Sequence, residues 1–276
     1  MFKPKKTIII ILTIIVAIAT TIFMKYISTK KLSLYERKIY NLYKSEDMSI
    51  SSKSDKLTDV TSLKILSYNI HRGKDQKGNY TLDEISKFLN ESDADIICLQ
   101  EVLSSQHTLI RESGKYKSQF VANIEIPIAS TGLGTYSKYP ILESNHIKLS
   151  SKDEQRGALH TVYRIDGQLI NVINVHLGLD KKERRKQIEE VLEYTKNLEG
   201  EIILVGDFNE TTVEIEELRD VGKYHGYKNN GTFISTNSRI DYIFMTTEDV
   251  YSIGYKIIDT YLSDHYPIMA TIRYKP

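Results

Sequence analysis

Short apolar runs alternate with polar, helix-forming stretches along most of this 276-residue chain. Leu63–Tyr68, Ile96–Leu99, Gly132–Tyr136, Ala158–Ile165, Leu169–Val175, Ile202–Val205, Ile240–Met245 and Pro267–Tyr274 read as strands, each an apolar run between polar or turn-forming residues. In RGALHTVYRIDGQLINVINVH, Asp166-Gly167 supplies a two-residue hairpin turn. Thr81-Leu-Asp-Glu84 has the spacing of a capping box and predicts a helix through Leu89. Lys181 to Leu198 predicts a charged helix whose buried stripe is Ile188, Val191, Leu192 and Leu198. Antiparallel neighbours mixed with helices predict α/β layers on mixed sheets, not one doubly wound parallel sheet.

Thr7 to Met24 breaks this pattern with eighteen residues that carry no charge. As a helix it would span about 27 Å, close to the hydrocarbon thickness of a bilayer. With Lys3, Lys5 and Lys6 before it, the stretch reads as an N-terminal transmembrane helix within an anchor over residues 1–30. Ala17-Ile18-Ala19 resembles a small-x-small cleavage site, so a removed signal peptide is the competing reading. Apolar residues continue past Ala19, which favours an uncleaved single-pass anchor with the C-terminal part outside the cytoplasm. Cleavage would make the protein secreted. A helical stalk and a serine-rich polar linker follow over residues 31–62, and the folded domain is expected over 63–276.

Charge changes the picture in one respect. The formal net charge is +1, but residues 1–31 hold six lysines and no acid. Taking those six from 37 basic residues leaves 31 against 36 acidic ones, so the remainder is mildly acidic. Nothing in that balance demands the basic surface that long nucleic acid requires. The single cysteine, Cys98, lies in an apolar run and reads as a buried thiol. No obligate protein partner is evident.

The strands share a second feature, which is polar chemistry at their ends. LKILSYNIH leaves Asn69 and His71, DIICLQE leaves Gln100 and Glu101, and LINVINVH leaves Asn174 and His176. EIILVGDFN leaves Asp207 and Asn209, RIDYIF carries Asp241, and YLSDHYPI places Asp264-His265 before the last strand. One acid at a strand end is usually a turn-former or cap. Six segments delivering Asn, Glu, His and Asp to one end of the sheets form a site, where α/β folds place theirs. Carboxylates and amide oxygens are hard ligands suited to Mg²⁺, with Mn²⁺ as the alternative. The chain has no cysteine cluster, no HExxH and no G-x-x-x-x-G-K-[ST] loop, which disfavours zinc and P-loop chemistry. Phosphoester hydrolysis is the chemistry these residues suggest, with two histidines able to act on opposite sides of a phosphorus.

SYNIHRG, LQE, LGTYSKYPI, NVHLG, GDFNE, RIDYIF and SDHYPI, in this order, resemble the endonuclease/exonuclease/phosphatase (DNase I-like) superfamily over roughly residues 63–274. The resemblance implies a four-layer α/β sandwich of two mixed β-sheets flanked by helices. It also implies a role for each matching residue. Asn69 and Glu101 would form the metal-proximal pair, with Asp264 adding to that site. Asp207 and Asn209 would position water and phosphate, and either Asp207 or His265 would be the base. Asp241 would orient His265. His176 would donate to a phosphate oxygen or the leaving group, as in the DNase I and sphingomyelinase branches. Arg156, Asn174 and His71 are expected at the substrate. Function on this fold lives in rim loops, so two substrate classes stay open. One is a lipid head group or other extracytoplasmic phosphoester, cleaved by a membrane-anchored enzyme; the other is nucleic acid, cleaved by a tethered or secreted nuclease.

Overall fold

Strand β1 (Leu63–Asn69) is apolar on both faces: Leu63 and Ile65 enter one core cluster, Leu66 and Tyr68 another. A strand that buries both faces must lie between two layers. In the computed structural model, which describes residues 62–126, 130–247 and 250–274, that is its position. The expected anchor, stalk and linker fall outside the described residues, as does Ser62's preceding segment. Among the described residues no helix is long and apolar enough to cross a membrane.

The chain continues through α1 (Leu82–Glu91), β2 (Ile96–Leu103), α2 (Ser104–Gly114), β3 (Lys117–Ile124), β4 (Thr131–Ser137), β5 (Glu143–Lys148), β6 (Gly157–Ile165), β7 (Gln168–His176), α3 (Lys181–Thr195) and β8 (Glu201–Asp207). Then come β9 (Arg219–Asp220), the single turn α4 (Val221–Tyr224), β10 (Asp241–Met245), β11 (Val250–Ile257) and β12 (Ile268–Tyr274). One sheet has the order β11-β12-β1-β2-β4-β3 and the other β5-β6-β7-β8-β10-β9. Each is mixed: β1 pairs parallel with β2, and β7 with β8, while the remaining pairings are antiparallel.

Period-two alternation builds the layers. Ile65, Ile96 and Cys98 of the first sheet meet Ile170, Val172, Ile203, Val205 and Ile243 of the second in a shared central core. Each fully buried aliphatic there contributes about 1.5–3 kcal/mol relative to exposure. Leu66, Ile97 and Leu99 face outward against Ile85 and Leu89 of α1 and Ile110 of α2. Ile173, Val175 and Leu204 face the opposite way, against Val191 of α3. Helix, sheet, sheet, helix: the expected four layers are present. Burial at the Cys98 position pushes its thiol up to about 12, so it stays an inert packing group.

Three local expectations need correction. Thr81 precedes α1 but makes no side-chain cap, because its hydroxyl donates to Leu262 O at 2.5 Å and ties two loops together. The stripe on α3 is narrower than expected: Val191 is buried, Ile188, Leu192 and Leu198 only partly so, and the helix ends at Thr195. Four strands had no apolar run to announce them: β3, β5, β9 and β11. These are the outer strands of the two sheets. An edge strand needs little burial and gains from polar residues that discourage pairing with other chains; β5, Glu-Ser-Asn-His-Ile-Lys, has no fully buried residue. The Asp166-Gly167 hairpin forms as expected, with both residues at positive φ (51° and 81°).

Candidate active site

The same alternation that builds the core also builds the site. On β1 the inward positions run Leu63, Ile65, Ser67 and Asn69; on β7 they run Ile170, Val172, Asn174 and His176. On β8 they run Ile203, Val205 and Asp207, and on β10 Asp241 precedes the inward Ile243 and Met245. Asn69, His176, Asp207 and Asp241 are thus polar terminal positions on an otherwise apolar face, where the two sheets open at one end. His176 and Asp207 are paired across β7 and β8, and Asp207 and Asp241 across β8 and β10.

Glu101 is placed differently. Simple alternation would send it outward with Ile97 and Leu99. The ladder between β2 and β4 instead slips between Leu99 and Val102, and Glu101 takes φ +54°. This bulge changes the parity of the strand, so Val102 resumes the outward face. The Glu101 carboxylate then meets Asn69, whose Nδ2 donates to its Oε1 at 3.3 Å.

Asp207 is the hub. Its Oδ2 accepts from Asn69 Nδ2 at 3.0 Å and faces Nε2 of both His176 (3.6 Å) and His265 (3.8 Å). Its Oδ1 accepts the Asn209 backbone N–H at 2.8 Å. The Asn209 side chain donates to Leu177 O at 2.9 Å, so its amide is fixed as well. His265 Nδ1 lies 2.9 Å from Asp241 Oδ2. Thr232 Oγ1, a residue the sequence did not single out, accepts the N–H groups of Ile240 and Asp241 and holds the start of β10.

The two imidazoles carry opposite electrostatics. Burial, with Arg156 beside it, holds the His176 pKa well below the usual imidazole range. Burial also opposes charge on His265, but the Asp241 and Asp207 carboxylates outweigh it and raise its pKa. Burial pushes the Asp207 carboxyl up, against the pull of His265. Arg156 Nη1 stands 3.2 and 3.1 Å from the Nδ1 and Nε2 atoms of His176. A neutral imidazole has one acceptor nitrogen. Arg156 therefore donates to one of the two nitrogens, and Nε2 is the one that faces Asp207. Arg156 is itself held by Glu154 at 2.8 Å.

The remaining expected residues divide. His71 and Asp264 lie together at the mouth, Nδ1 to Oδ2 at 3.7 Å, and Ser263 beside them donates to Asn69 O at 2.8 Å or to Asp264 Oδ1 at 3.2 Å. Arg72 approaches Glu101 at 3.8 Å. A narrow cleft runs from Arg72 and Glu101 past Asn123 and Glu154 to Arg156 and His176. Asn174 is a correction: it is fully buried and bonded to the opposite sheet, so it does not meet substrate. Four residues of this end, His71, Arg72, Glu101 and Asn209, have positive φ without being glycine, a strain that such sites tend to store. Larger depressions exist on the outer face of the second sheet, around Val213, Arg219 and Tyr224, away from these groups.

Two carboxylate groupings suit a hard cation. Asp207, Asp241 and His265 have ligand atoms within 4.8 Å of one another. They are nearly inaccessible, and ligation through Nδ1 would sacrifice the His265–Asp241 hydrogen bond. Mg²⁺ keeps several of its waters, which calls for more open ligands. Glu101 and Asp264, with side chains 23% and 20% exposed, open onto solvent and fit a partly hydrated ion better.

The Endonuclease/Exonuclease/phosphatase family model matches residues 66–265. The uncharacterized protein YbhP of Escherichia coli (strain K12) is 33% identical over 175 residues, covering 55% of this chain and 69% of YbhP. The fold is similar to D. rerio TDP2 complexed with a single-strand DNA product, with TM-score 0.65, 20% identity, and coverage of 77% of this chain and 99% of the other. It is also similar to a mannosyl-6-phosphatase of Bacteroides thetaiotaomicron VPI-5482, with TM-score 0.63, 22% identity, and coverage of 76% and 99%. The family match spans every strand that supplies a site residue, and on it the chain belongs to the endonuclease/exonuclease/phosphatase family and is a phosphoester hydrolase.

Proposed function

We propose that this protein is a Mg²⁺-dependent phosphodiesterase that attacks phosphorus in line with water. The observation that carries the reading is Asp207 Oδ2 lying between two imidazoles of opposite charge tendency. Asp207, its basicity raised by burial, takes the proton of the attacking water. His265, kept cationic by Asp241, stabilises negative charge growing on the phosphorane. His176 donates from Nε2 to a non-bridging or leaving oxygen, with Arg156 against its ring. Asn209 and Asn69 fix the two oxygens of Asp207. Glu101 with Asp264 would hold Mg²⁺ at the mouth, where the ion supplies charge neutralisation to the phosphate.

For the substrate, the mouth favours a lipid head-group phosphoester. Tyr80 (79% exposed), Leu179 (75%) and Tyr261 (65%) stand in the segments that follow β1 and β7 and precede β12, which suits contact with an apolar interface. An N-terminal anchor over residues 1–30 would keep the domain at such a surface, outside the cytoplasm. Nucleic acid is the second reading, favoured by the likeness to a DNA-product complex.

The test is hydrolysis of phospholipid vesicles and of plasmid DNA side by side, using the full chain with Mg²⁺ and Asp207→Ala as the inactive control. Head-group release lost in the variant supports the lipid reading. DNA cleavage lost in the variant replaces it with the nuclease. Activity retained in Asp207→Ala removes the site assignment.

A further inference from the structure

Asn174 and Gln100 form a buried amide clasp between the two sheets, next to the bulge that aims Glu101. Gln100 Nε2 donates to Asn174 Oδ1 at 2.8 Å. Asn174 Nδ2 stands 3.1 Å from Leu99 O and 3.2 Å from Gly134 O. Those two carbonyls belong to the last regular β2–β4 pair, Leu99 with Gly134, before the slip. Asn174 thus donates, from the other sheet, to carbonyls of the pair that borders the slip. Beyond the clasp, Ile70 N donates to Gln100 O and Arg72 N to Glu101 O, both at 3.2 Å, so the segment after β1 holds the far side of the bulge. Both amides are fully buried, and the oxygen and nitrogen positions of Asn174 are assigned unambiguously by one donor and two acceptors.

We infer that Asn174 is a positioning residue for the metal site: it acts from the second sheet, through the β2 bulge, to set the direction of the Glu101 carboxylate. The inference rests on the reading of Glu101 as the Mg²⁺ ligand. The physical argument is parity. Without a stabilised bulge, β2 in regular pairing turns Glu101 to the outer, helix-covered face, and its carboxylate leaves Asn69. The clasp ties β2 and β4 to the second sheet at the point where their ladder slips, and so fixes where the bulge forms.

Mn²⁺ binding followed by electron paramagnetic resonance tests this without turnover. Asn174→Ala and the smaller change Asn174→Ser should weaken Mn²⁺ affinity about 10- to 100-fold, with turnover largely restored at saturating metal. Asn171→Ala is the control. Asn171 is equally buried on the same strand but bonds His160, Glu199 O and Glu201 O at the other end; its loss should lower stability and leave Mn²⁺ affinity unchanged. A folded Asn174 variant with wild-type affinity overturns the inference. So does failure of both Asn174 variants to fold, which would make this a residue of the core and not of the site. Glu101→Gln separates the two layers of argument: if it binds Mn²⁺ like wild type, the metal assignment itself falls; if it does not, a wild-type-like Asn174→Ala sinks the clasp alone.

Discussion

His265 Nδ1 and Asp241 Oδ2 are 2.9 Å apart with both side chains almost wholly buried. The pair joins the loop before β12 to the first residue of β10. Nδ1 therefore carries the proton in the bond, and Nε2 is turned towards Asp207. Asp241→Asn leaves the shape and removes the charge that sustains the imidazolium. Turnover should fall by about 10²–10⁴-fold, with KM changed far less than kcat. An Asp241→Asn enzyme of near wild-type kcat would show that His265 acts uncharged.

Glu101→Gln preserves volume but removes the carboxylate proposed for the cation. Loss of several kcal/mol of charge stabilisation corresponds to at least about a hundredfold in rate at fixed Mg²⁺. A chelator should abolish wild-type turnover, and added Mg²⁺ should restore it. Chelator-resistant hydrolysis is the outcome against the metal reading.

Arg239 and Asp220 form a fork-to-fork pair, at 2.8 and 2.6 Å, with Arg239 buried and Asp220 partly so. Arg239 also lies 4.2 Å from the Tyr242 ring centre. Arg239→Met keeps the stem packed and strands the Asp220 carboxylate. The expected cost is about 1–3 kcal/mol, below that of a fully buried pair because Asp220 is partly exposed, read as a lower denaturant midpoint. Arg239→Met with Asp220→Asn should recover part of it; no recovery would mean that the stacking on Tyr242 dominates.

His107 ties stability to pH. Its ring lies 5.3 Å from both Phe120 and Tyr136, centre to centre, and burial followed by the Arg111 charge lowers its pKa to about 4. The unfolded chain takes up a proton near pH 6.5 that the folded one refuses until about pH 4. Stability from this group is therefore complete above pH 6.5 and falls as pH drops towards 4. Denaturation midpoints from pH 7 to 4 should decline less steeply in His107→Phe than in wild type. Equal slopes would assign the acid sensitivity to other groups, His176 first among them.

Much of this site was legible in the sequence because strand geometry has a period of two. Once LKILSYN, LINVINVH and EIILVGD are read as strands buried on both faces, Asn69, His176 and Asp207 must share the inner face with the aliphatic residues four positions earlier, Ile65, Val172 and Ile203. The edge strands were not legible, since partial burial writes no apolar pattern. Asn174 misled for the opposite reason: it shares the inner face with His176, but two residues deeper the sandwich has closed, and only the other sheet is within reach.

By itself, then, the sequence determined the strands, their inner faces and the four side chains that alternation carries to the open end. Tertiary structure decided Glu101. Its strand would turn it away from the site, and its inward direction depends on a bulge next to which Asn174, 75 positions from Leu99 in the chain, donates to the Leu99 carbonyl. Alternation is a local property of one strand, whereas a register slip is settled by the neighbours that satisfy its backbone.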